Sequence, residues 1–163
     1  MAVTALTEVD LAYAAGILDG EGCINIVKQK RKIRRTINKR KYKLYKIQKP
    51  YYRLQVNVCN TQSEVITWLW LNWGGSRQIR HIPLRRTMFY WYVVSRQAYH
   101  FLNDILPYLK LKRNQAKLAI AFQERRKIPY GSKGKKTDAE WALDEADKIL
   151  MSNLKKEEQL TWR

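Results

Sequence analysis

The chain has 163 residues, 32 of them Lys or Arg against 14 Asp or Glu, for a formal charge of +18, yet 45% of it is hydrophobic. Disorder requires low hydrophobicity beside high charge, so six tryptophans and 12% aromatic residues argue for one compact body and exclude a disordered basic tail. No apolar run of about eighteen residues exists to span a bilayer, no basic region precedes an apolar stretch at the N-terminus, and two cysteines, Cys23 and Cys59, are too few for a disulfide scaffold or a structural zinc site. The expectation is an intracellular, non-secreted protein with reduced thiols and no membrane partner.

Thr7-x-x-Asp10 has capping-box spacing, with Asp for the usual Glu or Gln, and opens a helix over 8–19 that Gly20 and Gly22 close. From Cys23 a strand begins, with Ile24 and Ile26 on one face and Asn25, Val27 and Gln29 on the other. It enters a basic zone of thirteen Lys or Arg residues between Lys28 and Arg53, and no acid occurs from Gly22 to Ser63. Tyr42, Tyr45, Ile33 and Ile47 interleave with these charges, which a purely solvated run would lack. Like charges at this density repel unless a polyanion neutralises them, so a nucleic acid is the expected partner.

A second alternating strand over 51–59 sets Tyr52, Leu54, Val56 and Val58 against Arg53, Gln55 and Asn57. Apolar residues at helical spacing over 64–71 end at Gly74-Gly75, and strands follow over 77–82 and 88–95, joined by a turn at 83–86. Helices are expected over 97–106, 114–127 and 139–155, the last holding most of a stretch, Asp138 to Glu158, that carries seven of the fourteen acids. The fold class is therefore α+β, in the order α-β-β-α-β-β-α with further C-terminal helices. A four-stranded antiparallel sheet covered by helices on one face leaves the other open. Its Asn, Gln, Arg and Lys side chains suit base edges in a major groove, Arg to guanine and Asn or Gln to adenine. An ordinary sheet with one wet side is the alternative reading of the alternation alone.

The nine residues Ala14-Ala-Gly-Ile-Leu-Asp-Gly-Glu-Gly22 resemble the LAGLIDADG motif of the homing endonucleases, with Glu21 where the family's last aspartate stands. The element order matches that family's core. Leu106-Pro-Tyr-Leu-Lys-Leu-Lys-Arg-Asn-Gln-Ala-Lys117 resembles the stretch that supplies a lysine to the family's active-site pocket. The resemblance covers roughly 6–127 and implies a single domain over 1–163, with a saddle-shaped sheet and a C-terminal helical extension over about 137–163. It implies a site-specific, often intron-encoded, double-stranded DNA endonuclease that hydrolyses phosphodiesters on both strands of a long pseudo-palindromic target. The alternative is a non-cleaving DNA-binding regulator, or an RNA-binding intron-splicing maturase of the same fold.

Ala12, Ala15, Gly16 and Asp19 fall at helical offsets of three and four, giving a small-residue face that lets another backbone approach. One motif per chain makes a second copy the simplest partner, hence a homodimer. Glu21 ends the helix beside unpaired carbonyls and the negative end of the helix dipole, a place that favours cations. Two such carboxylates near one axis suit Mg²⁺, with Mn²⁺ as a substitute. The resemblance adds the Gly20 carbonyl as a ligand and Lys112 as the pocket lysine. It also assigns a water-ordering polar residue at the end of the second strand, Asn60 by position, with Gln62 the other register. Glu64 stands where the family often carries a basic residue, leaving Arg113 as a substitute.

By parity, Asn25, Val27, Gln29, Arg31, Arg53, Gln55 and Asn57 are the expected DNA-reading residues. Parity is ambiguous in the later strands, where Arg77, Arg80, Trp91 and Val93 are the candidates and Trp91 reads equally well as a packing residue. Two sheets of strands about ten residues long would cover roughly 65 Å, or about twenty base pairs. His81 and His100 are the only histidines, and no Walker loop or dinucleotide fingerprint is present, which argues against a histidine-based metal motif and NTP-driven chemistry.

Overall fold

The computed structural model describes residues 5–29, 50–81, 83–84, 86–126 and 136–160. Arg31, most of the basic run, and the loop expected before the last helix lie outside the described residues. The elements in chain order are α1 (Glu8–Glu21), β1 (Gly22–Gln29), β2 (Tyr51–Asn60), α2 (Ser63–Trp73), β3 (Ser76–Arg80), β4 (Met88–Val94), α3 (Ser95–Ile105), a 3₁₀ turn (Leu106–Tyr108), α4 (Arg113–Glu124) and α5 (Asp138–Leu160). No helix among the described residues is long and apolar enough to cross a membrane.

The capping box forms as spaced: Thr7 N–H donates to the Asp10 carboxylate (2.9 Å) and Asp10 N–H to the Thr7 hydroxyl (3.2 Å). The Thr7 hydroxyl, which also donates to the Asp10 carboxylate (2.6 Å), and then the Thr7 N–H hold the Asp10 carboxyl below its usual value. α1 runs two residues beyond the expected end because Gly20 stays helical; Gly22 alone closes it, donating its N–H to the Leu18 carbonyl. A Cβ at Gly22 would lie 2.3 Å from Leu18 Cδ1 and 2.8 Å from the Leu18 oxygen, so this turn into β1 admits only glycine.

All four strands are antiparallel, in the order β1-β2-β4-β3. One face carries Ile24, Ile26, Tyr52, Leu54, Val56, Val58, Trp91 and Val93, all buried against Ala14, Ala15 and Leu18 of α1, Ile66 and Leu69 of α2, and Phe101, Leu102 and Ile105 of α3. Each such large side chain contributes about 1.5–3 kcal/mol by leaving water.

The register corrects three expected DNA contacts. Trp91 pairs with Val58 and Val93 with Val56, so both share the apolar face. Trp91 is 0% exposed, donates its indole N–H to the Gly74 carbonyl (2.7 Å) and meets Phe101 edge-on at 5.0 Å. Arg77 pairs with Trp91 and therefore also points to the helical side, where it stacks on the Trp70 ring at 4.0 Å and donates to Thr67 (3.1 Å). Gly74 and Gly75 adopt positive φ, and a Cβ at Gly75 would sit 2.5 Å from the Tyr92 carbonyl oxygen, which fixes how closely the α2–β3 turn meets β4.

α5 lies against β1 and α4, covering the sheet edge opposite β3 and burying Met151. Its acids pair with basic groups of the chain itself. Asp144, 4% exposed, meets Arg126 at 2.5 Å and also Lys136, while Glu145 meets Lys28 at 2.6 Å and the Tyr52 hydroxyl. The acidic segment thus neutralises part of the chain's own positive charge.

Candidate nucleic-acid interface and catalytic pocket

The strand register assembles the open face row by row. Asn25 stands beside Gln55, Val27 beside Arg53, and Cys23 beside Asn57, which in turn faces Tyr92 of β4. All of these are partly exposed. Asn25 donates to Asn57 Oδ1 (3.3 Å), and Arg53 donates to Gln55 Oε1 (3.3 Å). Gln29, at the far end of β1, accepts from the Tyr51 hydroxyl. Arg80 shares this face and lies over the Tyr90 ring at 4.7 Å.

Tyr90, Tyr92, Ser76 and Gln78 complete the open face, and sequence reasoning missed all four. Tyr90 and Tyr92 alternate with buried Trp91 and Val93, but every residue of Met-Phe-Tyr-Trp-Tyr-Val-Val is large and apolar or aromatic, so alternation carries no parity there. The available signal was the phenolic hydroxyls, which prefer a wet face.

Glu21 ends α1 with an exposed side chain, and no basic residue occupies that last turn. It lies against the end of β2. Partial burial and the Glu21 negative charge together push the Cys59 thiol above its usual value. Cys59 and Cys23 are both unpaired thiols. Asn60, by contrast, pairs with Phe89 on the parity of Val58, and its Oδ1 accepts the Gln62 N–H (2.9 Å) in the turn before α2. Among residues at the end of β2, Cys59 shares the open face and senses Glu21, while Asn60 is turned toward the helices.

Lys112 is the N-cap of α4, and the Asp19 carboxylate holds it in place. The backbone N–H groups of Lys110 (2.8 Å), Leu111 (3.1 Å) and Lys112 (2.9 Å) all donate to that carboxylate. The Lys112 ammonium donates to the Asp19 carbonyl, which brings it to the last turn of α1, two residues from Glu21. Asp19, expected on a dimer face, is therefore an internal buckle. Ala15 is corrected likewise: it is 0% exposed and packs in the chain's own core.

The exposed side of α1 instead comprises Val9 (77% exposed), Ala12, Tyr13 (52%), Gly16 and Gly20. A Cβ at Gly16 or Gly20 would meet nothing within 4 Å, so nothing within the chain requires glycine at either position.

The C-terminal helix also reaches this region. Gln115, 1% exposed, donates to Glu158 (2.5 Å). Burial holds the Glu158 carboxyl above its usual value despite the Gln115 bond and the nearby Lys112 charge. Lys155 reaches across the edge of β1 to Asn25 Oδ1 and to Cys23 Sγ (3.1 Å).

Among the described residues no group of three or more His, Cys, Asp or Glu side chains is arranged to hold a metal ion. At this point the chain offers the exposed Glu21 carboxylate beside helix-end carbonyls, a hard oxygen set of the kind that divalent cations take.

No protein-family model and no curated protein matches the chain. Solved structures do. The homing endonuclease I-CvuI, in complex with the I-CreI target in the presence of 2 mM Mg and with the DNA not cleaved, superposes with a TM-score of 0.62 at 23% identity, over 90% of this chain and 82% of that one. I-CvuI with its own target in 2 mM Ca gives 0.50 at 26% identity over 72% and 67%. The archaeal intron-encoded homing endonuclease I-Vdi141I complexed with DNA gives 0.50 at 13% identity over 72% and 68%. The chain therefore has the fold of these homing endonucleases, with a nine-residue segment resembling the LAGLIDADG motif at the end of α1.

Proposed function

We propose that the protein is a site-specific double-stranded DNA endonuclease that works as a homodimer, paired through the exposed side of α1. One observation carries the reading: an exposed carboxylate, Glu21, ends a helix whose last turns expose Gly16 and Gly20, while the same last turn receives the ammonium of Lys112. The polar open face of the sheet adjoins this point. DNA lying along that face would bring its phosphodiesters to the helix ends, and strong positive charge favours the encounter.

Within the dimer, Glu21 and the Gly20 carbonyl of each copy would hold a divalent cation. When bound, such an ion supplies activation of water and stabilisation of the leaving 3′ oxygen. Lys112, anchored by Asp19, places positive charge where negative charge develops on the phosphate. Arg53, Gln55, Asn57 and Asn25 orient the duplex by contacts to base edges, and Arg80, Tyr90 and Tyr92 extend the contact surface.

The test is incubation with a randomised duplex library plus Mg²⁺, followed by sequencing of the ends of cut molecules. Recovery of a long, partly symmetric site cut on both strands is the expected result. Enrichment of bound but uncut duplex would indicate a non-cleaving regulator; no duplex bound or cut, with structured RNA retained in a parallel binding selection, would indicate a splicing cofactor.

A further inference from the structure

The sheet's amides are not equivalent hydrogen-bonding groups, because their oxygens are already engaged. An ammonium or guanidinium can only donate. Lys155 of α5 meets Asn25, so the atom it meets is necessarily Oδ1, and the Asn25 amino group turns toward β2. It donates to Asn57 Oδ1 on that strand (3.3 Å) and to Cys23 Sγ, two residues back on β1 (3.3 Å). The Asn57 oxygen is thereby turned toward Asn25, with one of its two lone pairs used. The Asn57 amino group makes no hydrogen bond among the described residues. One step along β2, Arg53 donates to Gln55 Oε1 (3.3 Å), leaving Gln55 with its amino group to offer.

Arg53 is itself donor-only. We infer that the β2 row Arg53–Gln55–Asn57 is wired as an array of hydrogen-bond donors that selects guanine, and that Lys155 sets the polarity of its Asn57 member. The inference rests on the DNA-reading role proposed above and adds the base class that this role recognises. Alternate strand residues are about 6.7 Å apart, close to two base-pair steps, so the three side chains sample separate positions along a groove. In the major groove guanine presents two adjacent acceptors, N7 and O6. Adenine presents an acceptor beside an N–H donor, and pairing an Asn or Gln with it needs the amide oxygen as well as the amino group. In Asn57 and Gln55 that oxygen faces a neighbour within the protein. The adenine preference expected of bare Asn and Gln residues is thus replaced by a guanine preference.

The wiring depends on a residue far from the strand, and two substitutions act on it differently. Lys155→Met removes the anchor, so the Asn25 and Asn57 amides can invert. Asn25→Asp keeps the partner for Lys155 but turns the group facing Asn57 into an acceptor. The Asn57 amino group then bonds inward, and its oxygen faces outward.

The experiment selects bound duplexes from a randomised library using wild type, K155M, K155R and N25D, with the position read by Asn57 assigned as the one whose preference disappears in N57A. Wild type should prefer guanine over adenine there by about tenfold, and K155R should keep that preference. K155M should reduce it to about twofold or less while positions read by Arg53 and Gln55 stay unchanged. N25D should move the preference to bases that offer an N–H, cytosine or adenine. Far-UV circular dichroism reports folding of each variant, and N25D carries the test should K155M unfold.

Adenine at that position in wild type would overturn the inference, as would a guanine preference that survives both K155M and N25D. Uniform weakening across all sequences in K155M, with base preference intact, would make Lys155 a phosphate contact and overturn it equally. A wild-type protein that enriches no sequence at all would instead remove the DNA-reading role on which the inference stands.

Discussion

Asp19 and Lys112, 93 residues apart, close on each other twice: the Asp19 carboxylate accepts the Lys112 backbone N–H at 2.9 Å, and the Lys112 ammonium returns to the Asp19 carbonyl. Lys112 is therefore positioned by the helix that ends in Glu21, and loop and helix end behave as one unit. Asp19→Ala removes an acceptor from three backbone N–H groups and should cost about 1–3 kcal/mol of stability. It should also slow cleavage on the order of 100-fold through misplacement of Lys112, with DNA affinity little changed. Thermal denaturation and single-turnover cleavage measured side by side check this.

Gly16 gives a cleaner separation of fold from assembly. Because a side chain there meets nothing within 4 Å inside the chain, and leucine favours a helix more than glycine does, Gly16→Leu should leave the melting temperature of the isolated subunit unchanged or raise it. It should obstruct approach of a second α1 and convert the proposed dimer to a single subunit. Light scattering reports the mass; a dimer that survives the substitution would place the interface elsewhere.

Trp91 and Tyr92 are adjacent in sequence and opposite in role. Trp91 is fully buried with its indole N–H bonded, so Trp91→Ala should destabilise the fold by about 3–5 kcal/mol. Tyr92 lies on the open face, and Tyr92→Ala should lower duplex affinity while changing stability far less. Chemical denaturation and a binding titration on both variants distinguish the two.

Stability should fall on acidification, and Glu145 is one reason. Its carboxyl is held below the usual value chiefly by the Lys28 hydrogen bond, partly opposed by desolvation. A depressed carboxyl contributes stability that is present above its unfolded-state pKa and lost as pH falls through the folded value. Glu158, raised by burial, acts in the opposite sense: its contribution is present at low pH and lost as pH rises through its elevated value. Glu145→Gln should therefore flatten the acid limb of a melting-temperature profile; an unchanged acid limb would assign that sensitivity to other groups.

The motif ending in Glu21, the parity of β1 and β2, and the element order were legible because strict apolar–polar alternation and a capping box leave little choice of face. β4 was not legible, since Phe, Tyr, Trp and Val fill both of its faces. Arg77 was misplaced for a related reason: its guanidinium stacks on Trp70, and a cation on an aromatic ring looks like any other surface charge in sequence. Asp19 and Ala15 sit at the spacing of an interface, but spacing cannot tell a face turned to another molecule from one turned to the chain's own loop or core. The reach of Lys155 to Asn25 crosses 130 residues, and no local pattern encodes it.

The most direct test of the central claim is the behaviour of Glu21→Gln on the cognate duplex with Mg²⁺, reading bound and cut fractions in the same reaction. The account predicts duplex affinity within a few-fold of wild type and no cleavage of either strand. Cutting at the wild-type rate would contradict it, and loss of binding together with cutting would show that Glu21 holds the structure rather than the reaction.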